Sequence, residues 1–409
     1  MDAQGIDVRT PIIDVHRHCV SNPFPGKLGA VIRGVMRVAA GLRERRGPSS
    51  ITVKGITSIL YPELTDIDPQ IRQQDEAGIS KSLLSFSMLL ETLCQVLRLP
   101  SAFVARRLND ATAELVARFP NQLDFLVMVN PFDTASTDEC ERCFKNYGAK
   151  GVSIGTSWKG TFLDSGRAMS FFDYAQAADV AVFLHPPLVP IGYESMNCYK
   201  LEETVGRPFD TAMTAARMIL SGLFDRYPRL KIVLPHMGGG LPCVVGRLDF
   251  AHRLGYAGLP AGQAARCERP PSAYLRSNFY VDTMGFAPAG ILQSIALFGS
   301  DRILFGTDYA AVPISPREHV DIIKALGLSP EDESRIFWRN AAALFKLSLI
   351  QGSARWLLGR NGLPHRDVHQ KGGGDRAMAE RSSLVALGAP DRFNSLFDRL
   401  DAEGDRDVA

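Results

Sequence analysis

Short apolar runs of four or five residues return eight times along this chain, separated by longer amphipathic stretches, and that rhythm limits the fold more than any other feature. The runs are Ile12–Val15, Ser82–Phe86, Phe125–Val129, Gly151–Ile154, Ala181–Leu184, Lys231–Leu234, Asn278–Val281 and Arg302–Phe305. Several, such as Phe125-Leu126-Val127-Met128-Val129, are almost wholly apolar, as parallel strands covered on both faces must be. The stretches Ala102–Arg118, Ser170–Ala178 and Thr211–Phe224 carry the helical period and suit crossover helices between such strands. Eight strand–helix units in succession predict an α/β chain folded as a (β/α)8 TIM barrel, with a doubly wound open sheet as the alternative.

Two segments fall outside the rhythm. Residues 19–61 form a long insertion after the first strand. In a barrel it lies on the C-terminal face, where it can act as a lid, and its Arg43-Glu44-Arg45-Arg46 cluster reads as a solvated helical decoration. Residues 351–409 carry Gly372-Gly373-Gly374, many charges and one apolar patch from Phe393 to Leu400. They are expected to be a partly disordered extension ending in a segment that docks at a dimer interface. His365 and His369 within it are counted as surface residues. The barrel domain proper is then 1–350.

Lys and Arg number 46 against 44 Asp and Glu, and this near-neutral balance argues against a nucleic-acid or membrane-surface partner. Met1–Thr10 is polar, without the apolar centre of a signal peptide, and no apolar stretch approaches bilayer-spanning length. The seven cysteines are scattered. Cys140 and Cys143 make a C-x-x-C in a polar helical pattern, but no second pair or nearby histidine completes a zinc site. A cytoplasmic protein with reduced thiols is the expectation.

Barrel strands present their C-terminal ends to one pocket. Four of the eight histidines stand at such ends: His16 and His18 after the first strand, His185 after the fifth, and His236 after the sixth. Asp308 follows the eighth, in Leu304-Phe305-Gly306-Thr307-Asp308. Residues i and i+2 share a strand face, so His16 and His18 can grip one cation together. One strand-end histidine is usually structural, whereas four with an aspartate on one rim point to a metal. Imidazole nitrogen with carboxylate oxygen suits Zn2+, Mn2+ or Fe2+ better than Ca2+ or Mg2+. One divalent transition ion is expected, Zn2+ before Mn2+ or Fe2+.

The ordered motifs carry a resemblance. They run Asp14-Val15-His16-Arg17-His18, then Lys150-Gly151-Val152-Ser153-Ile154-Gly155-Thr156, then Phe183-Leu184-His185-Pro186. A long block follows from Val205-Gly206 through Tyr227-Pro228 to Pro235-His236-Met237-Gly238-Gly239-Gly240 and Gly246-Arg247, and Phe305-Gly306-Thr307-Asp308-Tyr309 closes the series. Over about residues 11–347 the chain resembles the amidohydrolase superfamily, in the branch containing aminocarboxymuconate-semialdehyde decarboxylase. The resemblance implies that His16, His18, His185 and Asp308 hold one metal, that His236 is the acid/base residue beside it, and that Arg247 helps bind a substrate carboxylate across a dimer interface. The fourth strand ends Ile154-Gly155-Thr156, with no lysine to bridge two metals as in binuclear relatives.

One departure matters. Decarboxylases of this branch place a substrate-binding arginine shortly before the Asp68-Pro69 position. This chain reads Leu60-Tyr61-Pro62-Glu63-Leu64-Thr65 there. The substrate is then expected to lack a second carboxylate, and Glu63 is a candidate extra ligand. The first reading is a metal-dependent decarboxylase of a carboxylated aromatic or dienoic small molecule. The alternatives are a metal-dependent hydrolase of an amide, lactone or C–C bond, and a di-iron, oxygen-activating member using Glu63. A homodimer is the expected assembly, a hetero-oligomer with a related subunit the alternative. Trp158, Phe286, Met284 and Tyr193 are candidate pocket walls.

Overall fold

The structure is a computed structural model and describes residues 10–20, 49–54, 56–256, 258–260 and 262–348. Most of the expected lid, with its Arg43–Arg46 cluster, and the whole 351–409 extension with His365 and His369 lie outside the described residues. All described residues except 52–54 belong to one compact unit.

That unit is built on eight parallel strands: β1 Ile13–Arg17, β2 Lys81–Leu84, β3 Leu123–Met128, β4 Gly151–Gly155, β5 Ala181–His185, β6 Lys231–Leu234, β7 Phe279–Asp282 and β8 Ile303–Leu304. Each pairs in parallel with the next in sequence. The two ends of the sheet meet as well. Val15 N–H donates to Phe305 O (3.0 Å), Asp308 N–H to His16 O (2.8 Å) and His18 N–H to Tyr309 O (2.7 Å). Helices lie between the strands, among them Ile67–Ala77, Ser101–Ala117, Arg207–Leu220, Leu241–Leu254 and Pro316–Lys324. The chain therefore folds as the expected (β/α)8 barrel.

The strands are buried on both faces, and the alternation of their side chains decides where the chemistry sits. Val152 and Ile154 of β4, Val182 and Leu184 of β5, and Ile232 and Leu234 of β6 join the apolar cluster between sheet and helices. Their neighbours Ser153, Phe183, Val233 and His185 consequently point toward the barrel axis. The register of β1 against β2 shifts between Asp14 and Arg17, an irregularity of the kind that re-aims side chains beside a site. Among the described residues no helix is long and apolar enough to cross a membrane.

Candidate metal centre

The C-terminal ends of β1 and β5 and the turn after β8 deliver four side chains to one point. One ligand atom each from His16, His18, His185 and Asp308 lies within 4.8 Å of every other, and all four residues are buried. The protonation of the three rings follows from what touches their other nitrogens. His16 Nδ1 donates to Asp282 Oδ2 at 2.6 Å, His18 Nδ1 to the carbonyl of Ser85 at 2.5 Å, and His185 Nδ1 to the carbonyl of Pro186 at 2.8 Å. In the neutral rings that a metal requires, each with its one proton on Nδ1, all three Nε2 atoms turn lone pairs toward the same place.

Among the described residues nothing satisfies that arrangement. His16 Nε2 is 3.2 Å from His18 Nε2, and Asp308 Oδ1 is 3.3 Å from the first and 2.9 Å from the second. His185 Nε2 and Asp308 Oδ1 are buried without a hydrogen-bond partner. Four acceptors facing one another need a cation. Two donors each about 2.1 Å from one ion stand about 3.0 Å apart at a right angle and about 3.4 Å apart at the tetrahedral angle, a span close to that of the three separations above. The residues therefore fit a divalent metal, held by three imidazoles and one carboxylate.

The electrostatics say the same. Burial lowers the His16 pKa, but the carboxylates of Asp308 and Asp282 outweigh it and raise it to about 9. Burial raises the Asp308 carboxyl, yet His16, His18 and His236 hold it well below the ordinary carboxylate range. His185, farther from the carboxylates in effect, is pushed well below the usual histidine value by burial and by its imidazole neighbours. The pocket stabilises positive charge at its centre.

His236 stands beside the four. Its Nε2 is 3.3 Å from Asp308 Oδ2, the oxygen turned away from the shorter His18 contact, and its Nδ1 is buried without a partner. The chain at this point turns sharply after β6, with His236, Met237, Gly238 and Gly239 all at positive φ. A side chain at Gly239 would place its Cβ 2.1 Å from the carbonyl of Pro208, so only glycine lets the turn seat against the start of the preceding helix, Arg207–Leu220.

The other expected residues are placed elsewhere. Glu63 is half-buried in the 3-10 turn Pro62–Thr65 and is not one of the four-residue group, although its charge acts on the buried Tyr309 phenol. Arg247 is exposed on the helix Leu241–Leu254. Trp158 is half-buried in a short hairpin after β4, Tyr193 in a 3-10 turn after β5, and Met284 is buried behind β7. Cys140 and Cys143 are buried free thiols.

Two functional neighbours escaped the sequence reading. Asp282, fully buried at the end of β7, fixes the His16 ring and also accepts from the backbone N–H of Met237 and Met284. Ending the seventh strand at Val281 hid it, although a strand-end aspartate was the available signal. Asp14, also fully buried, accepts from His16 N–H, Thr307 N–H and Thr307 Oγ1, and so ties β1 to the turn that carries Asp308.

Residues 13–347 match the family described as Amidohydrolase, and the chain belongs to that family. Among its relatives, gamma-resorcylate decarboxylase from a Polaromonas species is 34% identical over 304 residues, 71% of this chain and 90% of the relative. The 2-amino-3-carboxymuconate-6-semialdehyde decarboxylase of Dictyostelium discoideum is 30% identical over 207 residues, 50% of this chain and 56% of that one. A solved Polaromonas dihydroxybenzoic acid decarboxylase, holding manganese and the inhibitor 2-nitroresorcinol, superposes with a TM-score of 0.66 at 28% identity. The match covers 83% of this chain and 98% of that one. The 5-carboxyvanillate decarboxylase of Sphingomonas paucimobilis gives a TM-score of 0.66 at 25% identity, with 83% and 100% covered.

Proposed function

We propose that this protein is a metal-dependent decarboxylase of a small carboxylated aromatic compound. The observation that carries the proposal is the meeting of three imidazoles and Asp308 with a fourth, differently placed imidazole, His236, at 3.3 Å from Oδ2 of that aspartate. Relatives that match over most of the barrel include decarboxylases named for phenolic acids, and these names support that substrate class. In this reading His16, His18, His185 and Asp308 are the metal ligands. Zn2+ is the proposed ion for a set of three nitrogens and one oxygen, and Mn2+, the ion of the Polaromonas protein, is its rival.

A bound divalent ion supplies a Lewis acid that orients the substrate's carboxylate and a neighbouring oxygen. The chain's own residues move the proton. Asp308 Oδ2, 3.3 Å from His236 Nε2, orients a proton carried on that nitrogen. His236 passes that proton to the ring carbon bearing the carboxylate. The bond from that carbon to the carboxylate then breaks, its electron pair returns to the ring, and CO2 leaves. The proton on His236 is then replaced from solvent, with Asp308 Oδ2 again holding the ring in place. Arg247 is proposed to meet the substrate of a second copy across a homodimer interface. Its helix exposes Phe250 and Leu254, and the adjoining helix Arg207–Leu220 exposes Phe209 and Met213, an apolar face suited to a partner.

Incubation of metal-loaded protein with carboxylated phenols, 2,6-dihydroxybenzoate first, should release one CO2 per turnover. His236→Ala should keep its metal and lose about 10²–10⁴ of the rate. Products heavier by one water would place the protein with the hydrolases of its superfamily, and two irons per chain would bring Glu63 in as a further ligand.

A further inference from the structure

Of the buried polar groups around the barrel mouth, Asp14 and Arg17 have their hydrogen bonds filled and His319 does not. His319 lies on the helix Pro316–Lys324, which Ser315 caps just after the turn carrying Asp308. The residue is 3% exposed, and its Nε2 is buried with no hydrogen-bond partner among the described residues, a costly state for an imidazole. Its ring packs at 5.0 Å and 52° against Phe286, which is 37% exposed at the tip of the loop after β7. That loop is tied to the centre. Met284 N–H donates to Asp282 Oδ1 at 3.1 Å, and Asp282 Oδ2 takes His16 Nδ1.

The charges that bear on His319 are those of Asp308, Asp282 and His16, all members of the metal centre or its immediate support. Burial outweighs them and pushes its pKa down to about 4, so near neutrality the ring is uncharged, with one N–H and one lone pair. A neutral imidazole suits a hydroxyl, which can both give and take a hydrogen bond, better than a second carboxylate. The missing arginine in Tyr61-Pro62-Glu63 points the same way.

We infer that His319 and Phe286 form the edge of the site that reads a hydroxyl on the substrate's aromatic ring, His319 Nε2 hydrogen-bonding the hydroxyl and Phe286 packing against the ring. The inference rests on the decarboxylase reading for the ring itself and assigns its specificity. It is tested by binding, which needs no turnover. Calorimetry on metal-loaded protein would compare 2-nitroresorcinol with 2-nitrophenol, which lacks the second hydroxyl.

Wild type should bind 2-nitroresorcinol about tenfold tighter, a gain typical of one well-made hydrogen bond. In His319→Leu the ratio should fall to about one, and His319→Gln, which keeps a polar nitrogen at similar reach, should restore much of it. His319→Phe, which preserves packing on Phe286, carries the same expectation should His319→Leu fail to fold. A ratio that survives in either apolar variant, or lost stability with the ratio intact, overturns the assignment, as does failure of wild type to bind either probe. CO2 release from 2,6-dihydroxybenzoate, read in parallel, separates the two claims. Its absence beside a His319-dependent ratio would remove decarboxylation and leave the hydroxyl edge standing.

Discussion

The two faces of β1 bury polar side chains to opposite ends. Arg17, His16 and His18 are all fully buried. Arg17 points toward the helix Ile67–Ala77 and is met by partners from that helix, from β2 and from the turn after β8. Its Nε donates to Gln70 Oε1 (3.1 Å), Nη2 to Gln70 O (2.6 Å) and Nη1 to Ser82 Oγ (3.4 Å), while Tyr309 covers its plane at 5.2 Å. His16 and His18, on the other face, turn lone pairs toward each other and toward Asp308. A buried polar side chain whose partners are complete holds the fold together. One whose neighbours duplicate its own need for a proton or cation is built for something the protein must bind.

If that contrast is right, the two faces fail differently. The largest effect on stability should come from Arg17→Met, which strips Gln70 and Ser82 of their donor. A loss of about 3 kcal/mol in chemical unfolding is expected, with metal stoichiometry in the folded fraction unchanged. A folded variant that had lost its metal would erase the distinction.

Asp282→Asn should act on the other face alone. Oδ1 of the new amide can keep the N–H groups of Met237 and Met284, so its NH2 group turns toward His16 Nδ1. That moves the ring proton to Nε2, where it blocks coordination. Metal affinity measured by competition with a chelator should fall about 10–100-fold, with the apo protein as stable as wild type.

The smallest effect is a pH slope. His319 has a folded pKa of about 4 against 6.5 unfolded, so between those values the unfolded chain binds more protons. Stability from this group is complete above 6.5 and is lost as pH falls toward 4, by at most about 1.4 kcal/mol per pH unit. His319→Phe should flatten that part of the unfolding profile. An unchanged profile would show that the ring is not held neutral by its site.

Most of the barrel was legible because parallel strands buried on both faces leave continuous apolar runs. Phe125–Val129 anticipates Leu123–Met128, and Lys231–Leu234 is met residue for residue. The strand-end histidines and Asp308 were legible for a related reason: fold topology, once known, converts position along the chain into position in space. What was hidden depends on tertiary neighbours. Strand alternation already turns Arg17 away from the two histidines, but its partners Gln70 and Ser82 come from distant elements that the local pattern does not name. His319 shares the buried face of its helix with Pro316, Val320 and Ile323, and helical spacing marks that face but not the Phe286 ring that meets it. Asp282 was lost to a strand boundary one residue short, a small error that removes the partner of a ligand.

The central claim is that these four acceptors exist to share one ion. Crystals of protein prepared without added metal, measured with X-rays on either side of the zinc and manganese absorption edges, would test it directly. One divalent transition ion per chain, bonded to Nε2 of His16, His18 and His185 and to Asp308, is the predicted result. A site free of any ion at full protein activity, with the three Nε2 atoms swung apart or hydrogen-bonded to water, would contradict it.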